Sequence, residues 1–136
     1  MTALVLHLPL PPPLSACFKN ARCQKRIGGK LKQWTGRVKT ARYEAWIDEA
    51  GLALRAELRE PRCWPSFPIS TPVRAEYQFG RPDKRRADVA NKEKAVSDLL
   101  VRAGILVDDS QIVDLRLRWA NVDGVVITIR PAQEAT

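Results

Sequence analysis

The sequence predicts an α+β fold in which a small mixed β-sheet packs against two helices, in the order β-α-β-α-β-β. Apolar residues alternate strictly over 73–79 and alternate again over 112–119, as in half-buried strands. They recur at helical spacing over 38–58 and 89–103. Short connections between these segments indicate that both helices cover one side of the sheet. At 136 residues, the chain is expected to form one domain over 1–136.

The N-terminal elements begin with a predicted strand at residues 3–8, which a cluster of prolines ends. Residues 15–36 are basic and lack a clean period, so they predict a loop or a loosely held hairpin around Gly28-Gly29. The first helix is predicted over 38–58, because Pro61 lies just beyond its end. Its expected buried residues are Ala41, Ala45, Leu52 and Ala56.

A connector and a strand follow the first helix. Residues 59–72 hold four prolines and are expected to lack regular structure. The strand at 73–79 should bury the alternating residues Val73, Ala75, Tyr77 and Phe79. Residues 80–87 then form a predicted basic turn.

The second helix is predicted over 89–103, with Asp88 placed to cap it. Its expected buried stripe is Val89, Val96, Leu99, Leu100 and Ala103. A strand at 112–119 follows, and its expected buried residues are Val113, Leu115, Leu117 and Trp119. An Asp-Gly turn within 121–124 predicts that residues 125–130 pair back on that strand as a hairpin. Residues 132–136 form a tail.

The composition favours a polyanion as partner. Lys and Arg number 23 against 15 Asp and Glu, giving a formal net charge of +8 and a pI near 9.9. The apolar runs are too short to span a bilayer, and prolines interrupt the N-terminus too early for a signal peptide. We therefore expect a cytoplasmic protein that does not use a membrane.

Cysteine and histidine do not indicate zinc or a Cys–His nucleophile. The three cysteines, Cys17, Cys23 and Cys63, form no CxxC pair, and His7 is the only histidine. Packed or surface thiols in a reducing compartment are the expected interpretation.

Acidic residues and a lysine in the second half can converge on one point. Asp88 precedes the second helix, and the pair Asp108-Asp109 precedes a strand. Converging carboxylates are what Mg²⁺ prefers, and the surrounding basic residues suit a phosphate backbone. Taken singly, each acid has a structural explanation as a helix cap or a solvated turn.

Two lysines of the second helix compete for a place near these acids. Lys92 and Lys94 cannot share one helical face, so only one can point toward the acids, where its charge would stabilise a reacting phosphate. An ordinary solvated position is the favoured interpretation of Lys92 and of Arg102.

The segment resembles the active-site region of the RusA family of phage-derived Holliday junction resolvases. That family's pattern is an acid, any residue, an acid and Asn, with Lys three residues later and an Asp-Asp pair further on, continued by Ser or Ala, Gln and an aliphatic residue. The matching residues here are Asp88, Asn91, Lys94, Asp108, Asp109, Ser110, Gln111 and Ile112. The proline cluster Pro11, Pro12 and Pro13 and the approach Arg81-Pro82-Asp83 also fit.

The resemblance implies a homodimer that cuts four-way DNA junctions by paired symmetric nicks. It implies Mg²⁺ as the cofactor, with Mn²⁺ as a substitute, and no small-molecule cofactor. The catalytic carboxylates would be Asp88, position 90 and Asp109, with Lys94 as the electrostatic helper. Of these, Asp88 and Asp109 would hold the metal.

Position 90 departs from the family pattern. Ala90 stands where the family has its second acid, and it has no group that could bind a metal. The chain is therefore expected to bind junctions but to cleave them weakly or not at all. The acid has either been lost naturally or been replaced deliberately to trap substrate uncut, and the intact remainder of the motif favours replacement.

The expected DNA contacts lie in two basic segments, because a junction enzyme reads shape and backbone. They are Arg81, Lys84, Arg85 and Arg86 beside the site, and Lys19, Lys25, Arg26, Lys30 and Lys32 in the N-terminal segment. Phe18, Trp34 and Trp64 could stack on exposed bases or pack under loops.

Two other classes of function remain open. One is a basic DNA-binding protein without catalysis, in which the acids only cap and turn. The other is a small basic protein that acts through protein contacts alone. Mg²⁺-dependent nicking separates the nuclease from both, and salt-sensitive DNA binding separates the other two.

Overall fold

The computed structural model describes residues 2–81 and 89–133, which form a mixed β-sheet, a separate hairpin and two helices. The strands are β1 (Leu4–Leu8), β2 (Phe18–Ile27), β3 (Lys30–Lys39), β4 (Val73–Gly80), β5 (Ile112–Ala120) and β6 (Val125–Pro131). The helices are α1 (Ala41–Glu57) and α2 (Glu93–Arg102), and short 3-10 turns occur at Leu14–Ala16, Val89–Lys92 and Asp109–Gln111. No helix of the described ranges is long and apolar enough to cross a membrane.

The four-stranded sheet has the order β1-β6-β4-β5. Strand β5 runs parallel to β4, whereas β6 is antiparallel to both β4 and β1. The α+β class with a mixed sheet and two helices is thereby confirmed. The fully buried residues of β1, β4 and β6 form its central core.

The predicted pairing of residues 125–130 with the preceding strand is wrong. Strand β6 instead lies between β1 and β4, because the connection from β5 crosses over the end of β4. The Gly80 amide donates to the Gly124 carbonyl over 2.8 Å, and a Cβ on Gly80 would lie 2.2 Å from the Val122 carbonyl oxygen. Glycine at position 80 is what allows this close crossing.

Of the two structures predicted for residues 15–36, a loop or a hairpin, the hairpin is confirmed. Strands β2 and β3 pair in register from Phe18 opposite Lys39 to Ile27 opposite Lys30. Gly28 and Gly29 join them with φ values of 59° and 79°, as a two-residue hairpin turn requires.

The predicted buried face of the first helix is wrong. Ala41, Ala45, Leu52 and Ala56 are all exposed, and Leu52 is 65% exposed. The buried residues are Tyr43, Trp46, Ala50 and Leu54. Large aromatic rings set the rotation, because Trp46 packs inward and its Nε1 donates to the Pro9 carbonyl over 2.9 Å. The helix begins at Ala41, where the Thr40 hydroxyl caps it by accepting from the Tyr43 amide.

The buried face of the strand at 73–79 is confirmed, since Val73, Ala75, Tyr77 and Phe79 are all buried. The expectation for β5 is wrong at Val113, which is 62% exposed. The register runs from Val73 opposite Ile112 directly to Arg74 opposite Asp114, so Val113 is the extra residue of a bulge. Leu115, Leu117 and Trp119 are half-buried.

Helix α2 buries Val96, Leu99 and Leu100 as predicted. Val89 is half-buried within the 3-10 turn before the helix, and Ala103, which was expected to be buried, is exposed beyond its end. Tyr77 of β4 and Ser97 of α2 meet through their hydroxyls, so α2 packs against the face of the sheet that carries Tyr77, and the 3-10 turn before α2 lies close to β5.

Candidate functional site

The turn that carries Asp108 and Asp109 is fixed by a single amide side chain. Gln111 Oε1 accepts hydrogen bonds from the backbone amides of Val107 and Asp108 over 2.8 and 2.9 Å. Its Nε2 donates to the carbonyls of Ile69 and Thr71 over 2.7 and 3.0 Å. Gln111 thus ties the acidic turn to the chain that enters β4, which explains why a glutamine suits this position.

The two acids of the turn have different surroundings. The Ser110 hydroxyl donates to Asp108, and this hydrogen bond holds the pKa of that carboxyl below its usual value. Asp109 is exposed, and no Lys or Arg of the described chain lies within ion-pairing distance of it. Asp109 borders a cavity of about 330 Å³ between the turn, α2 and the base of the hairpin. Asp108 is also exposed and borders the same cavity, but one of its oxygens accepts from Ser110.

Helix α2 presents the predicted lysine beside this cavity. Lys94 is exposed, and its Nζ lies 3.6 Å from the Asp98 carboxylate one turn later. Asp98 borders the same cavity as Asp109. Lys94 thus forms an ion pair with Asp98, which shares a cavity with Asp109 and which the sequence did not single out.

Position 90 lies in the 3-10 turn that leads into α2, and Ala90 is exposed there. Asp88, the predicted cap and catalytic acid, lies outside the described residues. Within residues 2–81 and 89–133, no three metal-ligating side chains come together.

The favoured interpretation of Lys92 as a solvated residue is wrong, whereas Arg102 is exposed as expected. Lys92 is only 7% exposed, and its Nζ donates to the Pro11 carbonyl over 2.9 Å. Burial lowers the pKa of this lysine, and the nearby Arg42 lowers it further. Lys92 faces inward because it fastens the proline-rich turn to the start of α2.

A buried chain of hydrogen bonds between β4 and α2 was also not predicted from the sequence. The hydroxyls of Tyr77 and Ser97 lie 2.9 Å apart, and Ser97 Oγ donates to Glu93 Oε1 over 2.6 Å. Because Ser97 has one hydroxyl hydrogen and gives it to Glu93, Tyr77 must donate to Ser97. Spacing along α2 could have paired Glu93 with Ser97, but the partner on β4 depends on the tertiary fold.

The predicted basic segment is the β2–β3 hairpin, and it carries the whole charge excess of the protein. Residues 18–39 contain eight Lys and Arg and no acid, so the other 15 basic residues equal the 15 acidic ones. Lys25 lies directly opposite Lys32, an arrangement that repels in the free protein and favours a polyanion partner. Lys19, Lys25, Arg26, Lys30 and Lys32 are all exposed.

The other predicted contacts divide between described and undescribed positions. Arg81 is exposed, and its guanidinium lies 5.4 Å from the centre of the Trp119 ring. Lys84, Arg85 and Arg86 lie outside the described residues.

The three aromatic candidates differ in exposure. Phe18 packs edge-on against Tyr43 and is covered by Arg37, and Trp64 packs against the core, so packing is the better interpretation for both. Trp34 is 48% exposed on the hairpin, opposite Cys23.

Comparison with known proteins decides the family. The sequence model of the family described as Endodeoxyribonuclease RusA matches residues 19–130, which include the hairpin, α2 and the acidic turn. The chain belongs to the RusA family.

Individual members of the RusA family align over most of the chain. The crossover junction endodeoxyribonuclease RusA of Shigella sonnei (strain Ss046) is 28% identical over 117 residues, which cover 86% of this chain and 82% of the relative. The protein of the same name from Escherichia coli (strain K12) is 27% identical, and that of enterobacteria phage 82 is 26% identical, with the same coverage. The chain is thus similar to nucleases along both its basic hairpin and its acidic turn.

Proposed function

We propose that this chain is a Mg²⁺-dependent, structure-selective endodeoxyribonuclease that resolves four-way DNA junctions by paired symmetric nicks. It acts as a homodimer in the cytoplasm, and Ala90 weakens its cleavage while leaving junction binding intact. The observation that carries the proposal is the exposed Asp109, which Gln111 holds beside α2 at the position of the family's acidic pair.

The donor set fits a hard divalent cation. Asp109 has an exposed carboxylate, no Lys or Arg among residues 2–81 and 89–133 forms an ion pair with it, and Asp88 would add a second carboxylate. A bound Mg²⁺ or Mn²⁺ would supply Lewis-acid activation of water and would neutralise the leaving oxygen. The protein's own contribution is to fix Asp109 through Gln111 and to keep Lys94 near the reacting phosphate.

The charge distribution supports DNA as the substrate. All of the excess charge lies in one exposed hairpin, which suits contact with phosphates along a duplex arm. Arg81, Lys84, Arg85 and Arg86 would hold the backbone at the scissile phosphate. Because these contacts read the DNA backbone and its shape, recognition should depend on the branched form of the substrate and not on one base sequence.

Restoring the acid at position 90 tests the proposal. We expect Ala90→Asp to raise Mg²⁺-dependent cleavage of a synthetic four-way junction by at least about tenfold, since a hard-cation site regains a ligand. DNA affinity should stay equal or fall, because the added charge repels phosphate. Cleavage is measured on labelled junctions, and affinity is measured by anisotropy in Ca²⁺.

The matched control is Asp109→Asn in the Ala90→Asp chain, which should abolish cleavage while the protein stays folded. A linear duplex of the same arm sequence should bind more weakly than the junction across a salt titration. Equal affinity for junction and duplex would contradict junction selectivity. An inert but folded Ala90→Asp chain, with both Mg²⁺ and Mn²⁺, would contradict the metal site.

Lys94 gives a second prediction. We expect Lys94→Ala in the Ala90→Asp chain to lower the single-turnover rate more than it lowers junction affinity, because an ammonium near the reacting phosphate acts mainly on the transition state. Parallel measurements of rate and affinity check this. A loss confined to affinity would make Lys94 an ordinary phosphate contact.

The second candidate is a basic DNA-binding protein without catalysis. It is favoured by the alanine at position 90 together with the hairpin's charge, which suffices for binding without a metal. Such a protein would bind DNA with strong salt dependence and would stay inert after Ala90→Asp. The cleavage assay above therefore separates the two candidates.

A further inference from the structure

The face of the four-stranded sheet that points away from α2 is rich in arginine. Alternation along β4, β5 and β6 turns one set of side chains toward the core and leaves the other set half-buried or exposed. This second set, the open sheet face, consists of Arg74, Glu76, Gln78, Asp114, Arg116, Arg118, Val126, Thr128 and Arg130. Its four arginines exceed its two acids, although the protein outside the hairpin is neutral in sum.

A cavity of about 240 Å³ opens on this face, near the end where β5 begins. Three of the four arginines border it, namely Arg74, Arg116 and Arg130. The strand register places Arg74 between Asp114 on β5 and Arg130 on β6. Because like charges directly opposite each other destabilise a sheet, the pair Arg74 and Arg130 favours an anion between them.

Arg130 has a donor that the described protein does not satisfy. Its Nε is buried, and no group within residues 2–81 and 89–133 accepts a hydrogen bond from it. A buried N–H without an acceptor lowers stability, and such groups are uncommon in native proteins. Since Arg130 borders the cavity, a ligand oxygen there would supply the missing acceptor. The planar guanidinium matches phosphate oxygens in particular.

The two acids of the open sheet face do not neutralise these arginines. Glu76 Oε1 accepts from Gln78 Nε2 over 2.6 Å and lies 3.5 Å from Nη2 of Arg118, which does not border the cavity. Asp114 is exposed and forms no ion pair with a basic residue of the described ranges. The arginines that border the cavity likewise form no ion pair in that part of the chain, so the cavity suits an anion.

The cavity lies at the same end of the sheet as the acidic turn. The turn leads directly into β5, and the five residues from Asp109 to Asp114 span at most about 18 Å. The bulge at Val113 bends β5 between them. Each DNA strand presents a phosphate about every 3.4 Å along the duplex axis. A duplex arm that reaches Asp109 therefore has further phosphates within reach of the cavity.

We propose that this cavity binds one backbone phosphate of the DNA arm that passes the acidic turn, with Arg74 and Arg130 as its main donors. The inference rests on the proposed function and adds to it a second phosphate-binding site, on the sheet face opposite α2. A junction arm is an ordinary duplex, so the site contributes to affinity for any duplex arm and does not itself recognise the branch.

The salt dependence of DNA binding tests the site in the chain as it stands. We expect Arg130→Gln to reduce the slope of log affinity against log salt by about 1, on a four-way junction and on a linear duplex alike. Adding Arg74→Gln should reduce the slope by less than about 0.3 more, because both arginines contact one phosphate and release about one counterion. Fluorescence anisotropy measures the slopes.

The matched control is Arg118→Gln, which removes the same charge from the same face but outside the cavity wall. It should change the slope by less than about 0.3. A slope reduced as much by Arg118→Gln as by Arg130→Gln would mean diffuse attraction by a basic face, and it would overturn the assignment to the cavity.

Two further measurements separate phosphate binding from a structural role of Arg130. Arg130→Gln should leave the melting temperature unchanged or raise it, because it removes an unsatisfied donor and a like-charge pair. In proton–nitrogen NMR spectra, the Nε–H signal that disappears in Arg130→Gln should shift when a short duplex saturates the parent chain. Inorganic phosphate should reproduce part of this shift at millimolar concentration.

The other outcomes are also decisive. A melting temperature lowered by several degrees, or a sedimentation mass changed by Arg130→Gln, would make Arg130 a structural or subunit-contact residue and overturn the inference. A signal that responds to inorganic phosphate but not to saturating duplex would assign the cavity to a free phosphate and overturn it too. In these cases, salt-sensitive junction binding by the parent chain leaves the proposed function intact. If the parent chain does not bind DNA, the proposed function and the inference both fail.

Discussion

Gln111 shows how one side chain can position a reactive acid that it does not touch. Its amide makes four hydrogen bonds, two accepted from the acidic turn and two donated to the chain before β4. A carboxylate could accept the first two but could not donate the others, so only an amide of this length serves both sides. The place of Asp109 is therefore set by Gln111 rather than by its own contacts.

We expect Gln111→Glu to destabilise the fold by about 2–3 kcal/mol, because it leaves two carbonyls facing a carboxylate. In the Ala90→Asp chain, it should also lower junction cleavage more than junction affinity, since Asp109 would be misplaced. Urea unfolding and single-turnover cleavage measure the two effects. Gln24→Glu, an exposed change of equal charge, should leave the stability within about 0.5 kcal/mol of the parent. Equal stability of both variants would refute the role of Gln111.

Lys92 makes a contact that its residue type does not predict. Its position in a charged run indicates a solvated side chain, yet it is buried and bonded to Pro11, a residue 81 positions earlier. Such a bond depends on where the proline-rich turn meets the 3-10 turn before α2, which no local sequence pattern records. The same limit applies to the link between Tyr77 and Glu93 through Ser97.

At the scale of elements, the hairpin of β2 and β3 combines exposure, length and a single sign of charge. A two-stranded ribbon is narrow enough to enter a DNA groove. Three large apolar side chains on it are also about half exposed, namely Ile27, Leu31 and Trp34. The hairpin forms a sheet separate from the four-stranded one, so packing of the main sheet does not require these exposed side chains.

We expect Lys25→Gln with Lys32→Gln to reduce the slope of log affinity against log salt for junction binding by about 2, because each phosphate contact releases about one counterion. Arg55→Gln with Arg59→Gln removes the same charge from exposed residues at the end of α1, and it should change the slope little. Both slopes are measured by fluorescence anisotropy at salt concentrations from about 50 to about 300 mM, a range that includes physiological ionic strength. Equal slopes for the two variants would remove the hairpin from the interface.

Elements with strong local sequence patterns could be predicted, whereas features that depend on contacts between distant parts of the chain could not. The alternation in Val73–Gly80 led to the correct buried residues, and the apolar stripe of α2 led correctly to Val96, Leu99 and Leu100. The face of α1 was misjudged because its small apolar residues outnumber the aromatic ones, whereas packing follows the larger rings. The place of β6 depends on a connection that crosses β4, and an Asp-Gly turn alone indicates only a nearby hairpin.

The same distinction between local patterns and long-range contacts applies to the candidate site. The motif led to Asp109 and Lys94, and the structure brings the helix and the turn that carry them to one cavity. Glu93, Asp98 and Lys92 were not distinguished from solvated residues, because their roles depend on contacts between α2 and the rest of the fold.

At the scale of the whole molecule, a second exposed apolar surface lies apart from the charged hairpin. The excess positive charge lies on the hairpin, whereas Val107 and Val113, which are 57% and 62% exposed, flank the acidic turn. Strand β5 lies at the outer edge of the sheet. A four-way junction presents two equivalent strands, and a two-fold axis would place one acidic turn at each of them.

We expect the chain to sediment as a dimer at micromolar concentration and moderate salt. Dimers that contain one active and one inactive chain then test whether the two sites of a dimer act on one junction. Ala90→Asp chains co-refolded with an excess of chains that carry both Ala90→Asp and Asp109→Asn should yield junctions nicked in one strand, because each mixed dimer holds one complete site. Supercoiled cruciform plasmid reports this, since a single nick gives open circles and paired nicks give linear DNA. A sedimentation mass of one chain, or linear product in proportion to the intact chains alone, would contradict the dimer.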